Sequence, residues 1–159
     1  MGISKEEFRA ALSRFPSGVT VVTTKDADGN LHGITVSAFA SVSLEPPMVL
    51  VCVDKTAGSH DALAESGAFV VNILAEEHES HSDKFAAPIS DKFDGISYRD
   101  GIAESPILEN ALVALECRLA HAHEGGDHTI FVGEVERAEI KDGTPLVYWY
   151  GDYRKLEID

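Results

Sequence analysis

GITVSAFASVSLEPPMVLVCV, from Gly33 to Val53, is the stretch on which the fold turns. It predicts two strands, Gly33 to Leu44 with a break in its middle and then Met48 to Val53, joined by the rigid corner Glu45-Pro46-Pro47. Ile34, Val36, Ala38, Ala40, Val42 and Leu44 alternate with Thr35, Ser37, Phe39, Ser41 and Ser43, the pattern of a strand with one apolar face and one face of short hydroxyls. Such a row on a rigid strand suits a flat ligand with polar edges.

Upstream, Ser4-Lys5-Glu6-Glu7 has the form of a capping box, and Phe8, Leu12 and Phe15 follow at helical spacing. A helix is expected from about Ser4 to Arg14, ending near Pro16. Gly18 to Thr24 is β-branched almost throughout and predicts a strand, with Asp28-Gly29 turning it into the central stretch. Downstream, a short helix from Ser59 or His60 to Ser66 closes at Gly67, and Ala68 to Leu74 is a strand. Glu76 to about Phe85 suits an exposed helix, and Ala86 to Glu109, punctuated by Pro88, Gly95, Gly101 and Pro106, is expected to be mostly loop and the segment readiest to move. Ala111 to His123 and His128 to Ile140 are the longest strands, and Pro145 to Tyr150 the last. Many strands, few helices and no regular alternation of the two point to a mainly β chain, an antiparallel barrel with peripheral helices.

The 159 residues make one domain, 1–159, of ordinary globular composition, and no apolar run is long enough to span a bilayer as a helix. A net charge of −14 repels polyanions, which argues against nucleic acid and anionic membrane surfaces. The N-terminal residues lack a secretory pattern, and Cys52 and Cys117 fit no ligand spacing, so buried free thiols in the cytoplasm are expected.

Three constellations carry chemistry. The hydroxyls and backbone of Gly33 to Phe39 could bind the edge of a ring system, or simply face water. Lys55-Thr56-Ala57-Gly58-Ser59, opening a helix, could hold a phosphate, or be a serine cap beside a solvated lysine. His121, His123 and His128 invite a metal in the H-x-H manner of cupins, but the upstream glycine of a cupin is absent, and no metal site is assigned. His78-Glu79-Ser80-His81 falls one residue short of the zinc-protease spacing and is taken as a solvated helix face. No nucleophile elbow, dinucleotide fingerprint or Walker loop is present.

Phe15-Pro16-Ser17-Gly18-Val19-Thr20-Val21-Val22-Thr23-Thr24, Gly33 to Pro47, Ser66 to Leu74, and Gly126-Asp127-His128-Thr129-Ile130 occur in that order. Together they resemble the short-chain flavin reductase family, the reductase components of two-component flavin monooxygenases such as the 4-hydroxyphenylacetate system. The resemblance runs from about Phe8 to Leu156. It implies an FMN-binding split barrel, normally a homodimer, that uses NADH or NADPH to reduce FMN or FAD for a separate monooxygenase. By the same resemblance, Thr35, Val36, Ser37 and Ala38 would touch the isoalloxazine, with Val51, Cys52 and Val53 beside it. Lys55 and Ser59 would take the phosphate, and Lys84, Phe85 and Ala86 would approach the cofactor. His128 would stand near the nicotinamide in a catalytic role, and Tyr148 and Tyr153 would close the pocket. Many relatives carry Asn-Ser before the phenylalanine, where this chain has Ser37-Ala38, leaving hydrogen bonding at Ala38 to the backbone. A non-catalytic flavin-binding electron carrier on the same barrel is the competing expectation. A pyridoxamine phosphate oxidase relative should be richer in Lys and Arg than the 13 found here.

Overall fold

The computed structural model describes residues 2–159; Met1, the first residue of the expected domain, lies outside them. In chain order the elements are α1 (Lys5–Leu12), β1 (Ser17–Gly18), β2 (Thr20–Lys25), β3 (Leu31–Val36), β4 (Phe39–Ser43), β5 (Met48–Asp54), α2 (His60–Ser66), β6 (Ala68–Ile73), α3 (Glu79–Ala86), β7 (Tyr98–Asp100), β8 (Pro106–Leu108), β9 (Val113–Gly125), β10 (His128–Ile140), β11 (Val147–Trp149) and β12 (Asp152–Arg154). Seven strands form one antiparallel sheet in the order β3-β2-β6-β9-β10-β5-β4, so the chain is mainly β with few helices. The pairing ends at β3 on one side and β4 on the other and does not run round to close the expected barrel. Among the described residues no helix is long and apolar enough to cross a membrane.

The expected punctuation is where the elements end. Ser4 caps α1 reciprocally with Glu7, and Gly67, at φ 73°, ends α2 in the left-handed region that glycine tolerates. β2 and β6 are buried on both faces, which their β-branched runs anticipate. One face meets a cluster around Val22, Val51, Val53, Phe69 and Phe131. The other is covered by Leu74, Phe85, Leu108 and Leu146 at one end and by Ile102 and Ile107 at the other.

Several expectations are corrected. The alternation of the central stretch does not persist through its break: Ile34 and Val36 turn to the core, but beyond Ser37-Ala38 it is Phe39 that packs there, while Val42 and Leu44 are exposed. The break shifts the pleat by one residue, which exchanges the faces. Residues 86–109 are mostly loop and turn, as expected, but within them β7 and β8 form a small unforeseen hairpin that buries Ile107 and Leu108. Its anchor is Asn72 on β6, whose amide donates to the Val21 carbonyl and accepts from the Leu108 N–H. The helix expected to be exposed over 76–85 is a 3₁₀ turn followed by α3, with His78, Ser82 and Phe85 buried, so His78 is no solvated face. A further strand, β12, follows β11 through a turn at Tyr150-Gly151, both at positive φ. Cys117 is buried as expected, whereas Cys52 is only partly covered, because its side chain leaves β5 on the face opposite the core.

Candidate functional site

The break between β3 and β4 is where the sheet offers itself to a ligand. β3 is an edge strand, paired only with β2. The Gly33 carbonyl accepts from the Ser59 hydroxyl at 3.4 Å and the Lys92 ammonium at 3.0 Å, so it faces away from β2. Backbone direction alternates along a strand, which turns the N–H and C=O of Thr35 to the same open side. At Ser37-Ala38 the strand bends out, and Ala38 re-enters the sheet by accepting the Cys52 N–H at 3.0 Å.

Three cavities follow this edge. The largest, about 790 Å³, lies between Leu12 and Phe15 on one side and Ser37, Ala38, Leu50 and Cys52 on the other. Burial raises the pKa of the Cys52 thiol. A second, about 370 Å³, shares Ser37 and adds Thr35, Ala86, Tyr148 and Tyr153. Here the Thr35 hydroxyl donates to the Ser82 carbonyl at 2.6 Å, fixing α3 over β3. The Tyr153 phenol lies 2.6 Å from an Asp83 carboxylate oxygen and 2.7 Å from the Ser82 hydroxyl. Burial, and then the bond to Asp83, push that phenol above its ordinary range. The third cavity, about 440 Å³, is lined by Asn30, His32, Gly33, Gly58, Ser59 and Lys92.

The structure thus brings Thr35, Ser37, Ala38, Cys52, Ala86, Tyr148 and Tyr153 to two cavities that meet at Ser37, and Ser59 to a third further along the same strand, at Gly33. The other expected site residues are placed differently. Val36, Val51, Val53 and Phe85 have their side chains in the core and can reach a ligand only through backbone. Lys55 is bound to the Glu124 carboxylate, and the Lys84 ammonium donates to the Asp94 carbonyl; neither lines the three cavities. His128 also lies outside them, its Nδ1 2.8 Å from an Asp127 carboxylate oxygen and its backbone paired in register with Asp54. The Asp54 carboxylate, held low chiefly by the Thr56 N–H and hydroxyl, adds negative charge beside it. His121 and His123 stack with ring centroids 5.5 Å apart, and among the described residues no group of three or more His, Cys, Asp or Glu could hold a metal ion.

Ser59 precedes α2 but makes no side-chain cap bond; its buried hydroxyl points to Gly33 instead. Lys92 is the residue that sequence reasoning missed. It sits in a segment expected to be loop, and the one available signal was its neighbour Phe93, whose ring packs edge-on against Phe85 at 5.1 Å and draws Lys92 inward. The arrangement supplies hydroxyls, open backbone groups and one inward cation along a strand edge. This suits a planar, polar-edged, anionic ligand.

Comparison with known proteins gives the same outline. A family model described as flavin reductase like domain matches residues 12–157. The reductase subunit HsaB of a flavin-dependent monooxygenase from Rhodococcus jostii (strain RHA1) is 42% identical over 99% of this chain and 80% of its own length. An NADH-dependent flavin reductase from a Rhodococcus species is 42% identical over 94% of this chain and 85% of its own. Among solved structures, the NADH:FAD oxidoreductase SgcE6 of Streptomyces globisporus C-1027, in complex with NAD and FAD fragments, superposes with a TM-score of 0.93 at 35% identity, covering 98% of this chain and 94% of that one.

Proposed function

The chain belongs to the flavin reductase family, and from that premise we propose that it is an NAD(P)H-dependent reductase of FMN or FAD whose reduced flavin serves a separate monooxygenase. The observation that carries this reading is the open edge of β3, where Thr35, Ser37 and Ala38 line two cavities that meet at Ser37. When bound, the flavin supplies the chemistry, accepting a hydride from the nicotinamide. The residues need only hold two flat rings in contact and supply hydrogen-bond donors where negative charge grows.

The Thr35 backbone and the Ser37 hydroxyl would hold the polar edge of the ring, the small side chain of Ala38 would leave the backbone there accessible to it, and Cys52 would line the same cavity. Ala86, Tyr148 and Tyr153 wall the far side, with Tyr153 locked by Ser82 and Asp83. Val36, Val51, Val53 and Phe85 hold this wall rigid from the core behind. His128 is assigned to the nicotinamide side, which requires the dinucleotide to extend beyond the three cavities toward Asp127.

The domain is single over 1–159, and the sheet rolls into a split barrel: its two edge strands, β3 and β4, are consecutive in the chain and separated only by Ser37-Ala38. The protein acts as a cytoplasmic homodimer. In support, α1 has no buried residue and exposes Phe8 and Leu12 beside Phe15, an apolar face that an eight-residue helix cannot leave in water. Anaerobic titration with NADH and NADPH, each with FMN and FAD, tests the activity. Loss of the oxidised flavin band at catalytic protein concentrations is expected; no acceleration over buffer overturns the reading.

A further inference from the structure

The C-terminal strands wall a cavity without belonging to the main sheet. β11 and β12 join β1 in a separate three-stranded sheet, in which β11 pairs with only two residues of β1. The segment leaves the body at Leu146, which is buried and donates its N–H to the Leu74 carbonyl at 3.0 Å. Past that point Tyr148, Trp149 and Tyr150 are exposed. The turn they enter is bonded to the end of α1, through the Tyr150 N–H to Ser13 and the Trp149 indole to Arg14, and α1 itself has no buried residue. Tyr153 is what ties this hairpin to the body. Its ring packs on the cluster around Phe85, and its hydroxyl meets Ser82 and Asp83 of α3.

The protons at that contact have a fixed direction. A carboxylate only accepts, so the single phenolic proton goes to Asp83 at 2.6 Å, and the Ser82 hydroxyl donates to the phenol oxygen at 2.7 Å. The raised pKa of Tyr153 keeps this proton in place at neutral pH. Ser82 is buried and its carbonyl holds the Thr35 hydroxyl, whereas Asp83 is exposed at the rim of the same cavity, where water can compete for the bond. Tyr148 lies directly opposite Tyr153 across the hairpin, their rings 5.6 Å apart, so it follows when Tyr153 moves.

We infer that Asp83 is a positioning residue: by holding the Tyr153 hydroxyl it latches the β11–β12 hairpin over the cavity and slows the release of flavin. This rests on the flavin site proposed above.

The test compares the wild type, Asp83→Ala, Asp83→Asn, Tyr153→Phe and the double variant Asp83→Ala with Tyr153→Phe. Flavin release rates, NADH-driven kinetics and urea midpoints are measured with FMN and FAD. Trp149, the one tryptophan of the chain, reports the state of the hairpin through acrylamide quenching. Asp83→Ala should raise the KM and the release rate for flavin by about fivefold, as for losing one charge-assisted bond at the surface, leave kcat undiminished and make Trp149 easier to quench. Asp83→Asn, whose amide oxygen still accepts the phenolic proton, should stay within about twofold of the wild type. The double variant should be no worse than Tyr153→Phe alone, since Asp83 acts through that hydroxyl. Losses that add overturn the inference. So does a fall in urea midpoint and kcat with KM unchanged, the mark of a merely structural tie. A wild type that binds neither flavin sinks the flavin reading itself. Should the variants fail to fold, amide hydrogen exchange of the wild type decides: flavin that slows exchange over residues 147–154 supports the latch, and protection at residues 35–38 with no change over 147–154 overturns it.

Discussion

Gly33 shows how little room separates the edge of the sheet from the helix laid over it. A Cβ built there would stand 2.6 Å from two carbons of the Phe85 ring and 3.2 Å from Phe93. Phe85 is wholly buried and cannot swing aside, so α3 would have to lift from β3. Gly33→Ala is therefore expected to cost about 1–3 kcal/mol, the usual range for an overpacked site. Because lifting α3 stretches the bond from Thr35 to Ser82, the KM for flavin should rise too. Gly58, which lines the same cavity, is the control: a Cβ there meets nothing within 4 Å, and Gly58→Ala should stay within about 0.5 kcal/mol of wild type. Urea midpoints and FMN kinetics on the two variants check both statements, and equal losses would show that close packing at Gly33 is not the cause.

Two elements are tied down by buried polar groups, and each yields a measurable consequence. At the start of α3, His78 Nδ1 accepts the Ala75 N–H at 3.2 Å, and its ring lies 4.9 Å from that of His81. Burial holds His78 below the ordinary histidine range; His81 is held low by burial first and then by His78 and Lys84. The unfolded chain thus takes up protons first. The stability associated with these neutral rings is complete above about pH 6.5 and is lost as pH falls through the lower folded values. Urea midpoints should drop between about pH 7 and 5, above the carboxylate range, and His78→Gln should flatten that drop. Asn72 does similar work for the β7–β8 hairpin: Asn72→Ala leaves the buried Leu108 N–H unpaired, an expected loss of about 1–3 kcal/mol, with proteolysis entering at residues 98–108 before the main sheet opens. These elements also mark the limit of what the sequence made legible. β2, β6 and β10 announce themselves by β-branched runs and by Asp28-Gly29 and Gly67, because propensity and burial agree there. The hairpin does not, since Tyr98-Arg99-Asp100 has no alternation and owes its strand form to the remote side chain of Asn72. The turn before β12 places Tyr150 at φ 55°, a conformation no local rule assigns to tyrosine. In the candidate site, Thr35, Ser37 and Ala38 were legible from a strand interrupted at its middle. Lys92 was not, because its inward turn depends on the packing of Phe93.

Taken whole, the molecule sets an apolar surface against a large net charge. Phe8, Leu12 and Phe15 are each more than half exposed, and Leu44, on the turn after β4, is 93% exposed. If these cover one another in a symmetric pair, hydrophobic burial must overcome repulsion between two copies carrying −14 each. The repulsion is screened by salt and the burial is not: the Debye length falls from about 30 Å at 0.01 M to about 10 Å at 0.1 M. The dimer should therefore tighten as salt rises, opposite to an assembly held by ion pairs. Sedimentation equilibrium across that range reads the trend directly. Phe8→Asp with Leu12→Asp should give a monomer at every salt concentration, because it removes the apolar area and adds charge to the same face. Since Leu12 also lines the largest cavity, that monomer should bind flavin less tightly while unfolding at nearly the same urea concentration per chain, as α1 contributes no buried residue to the core. A dimer that weakens with salt, or a double variant that still pairs, would place the contact elsewhere on the chain.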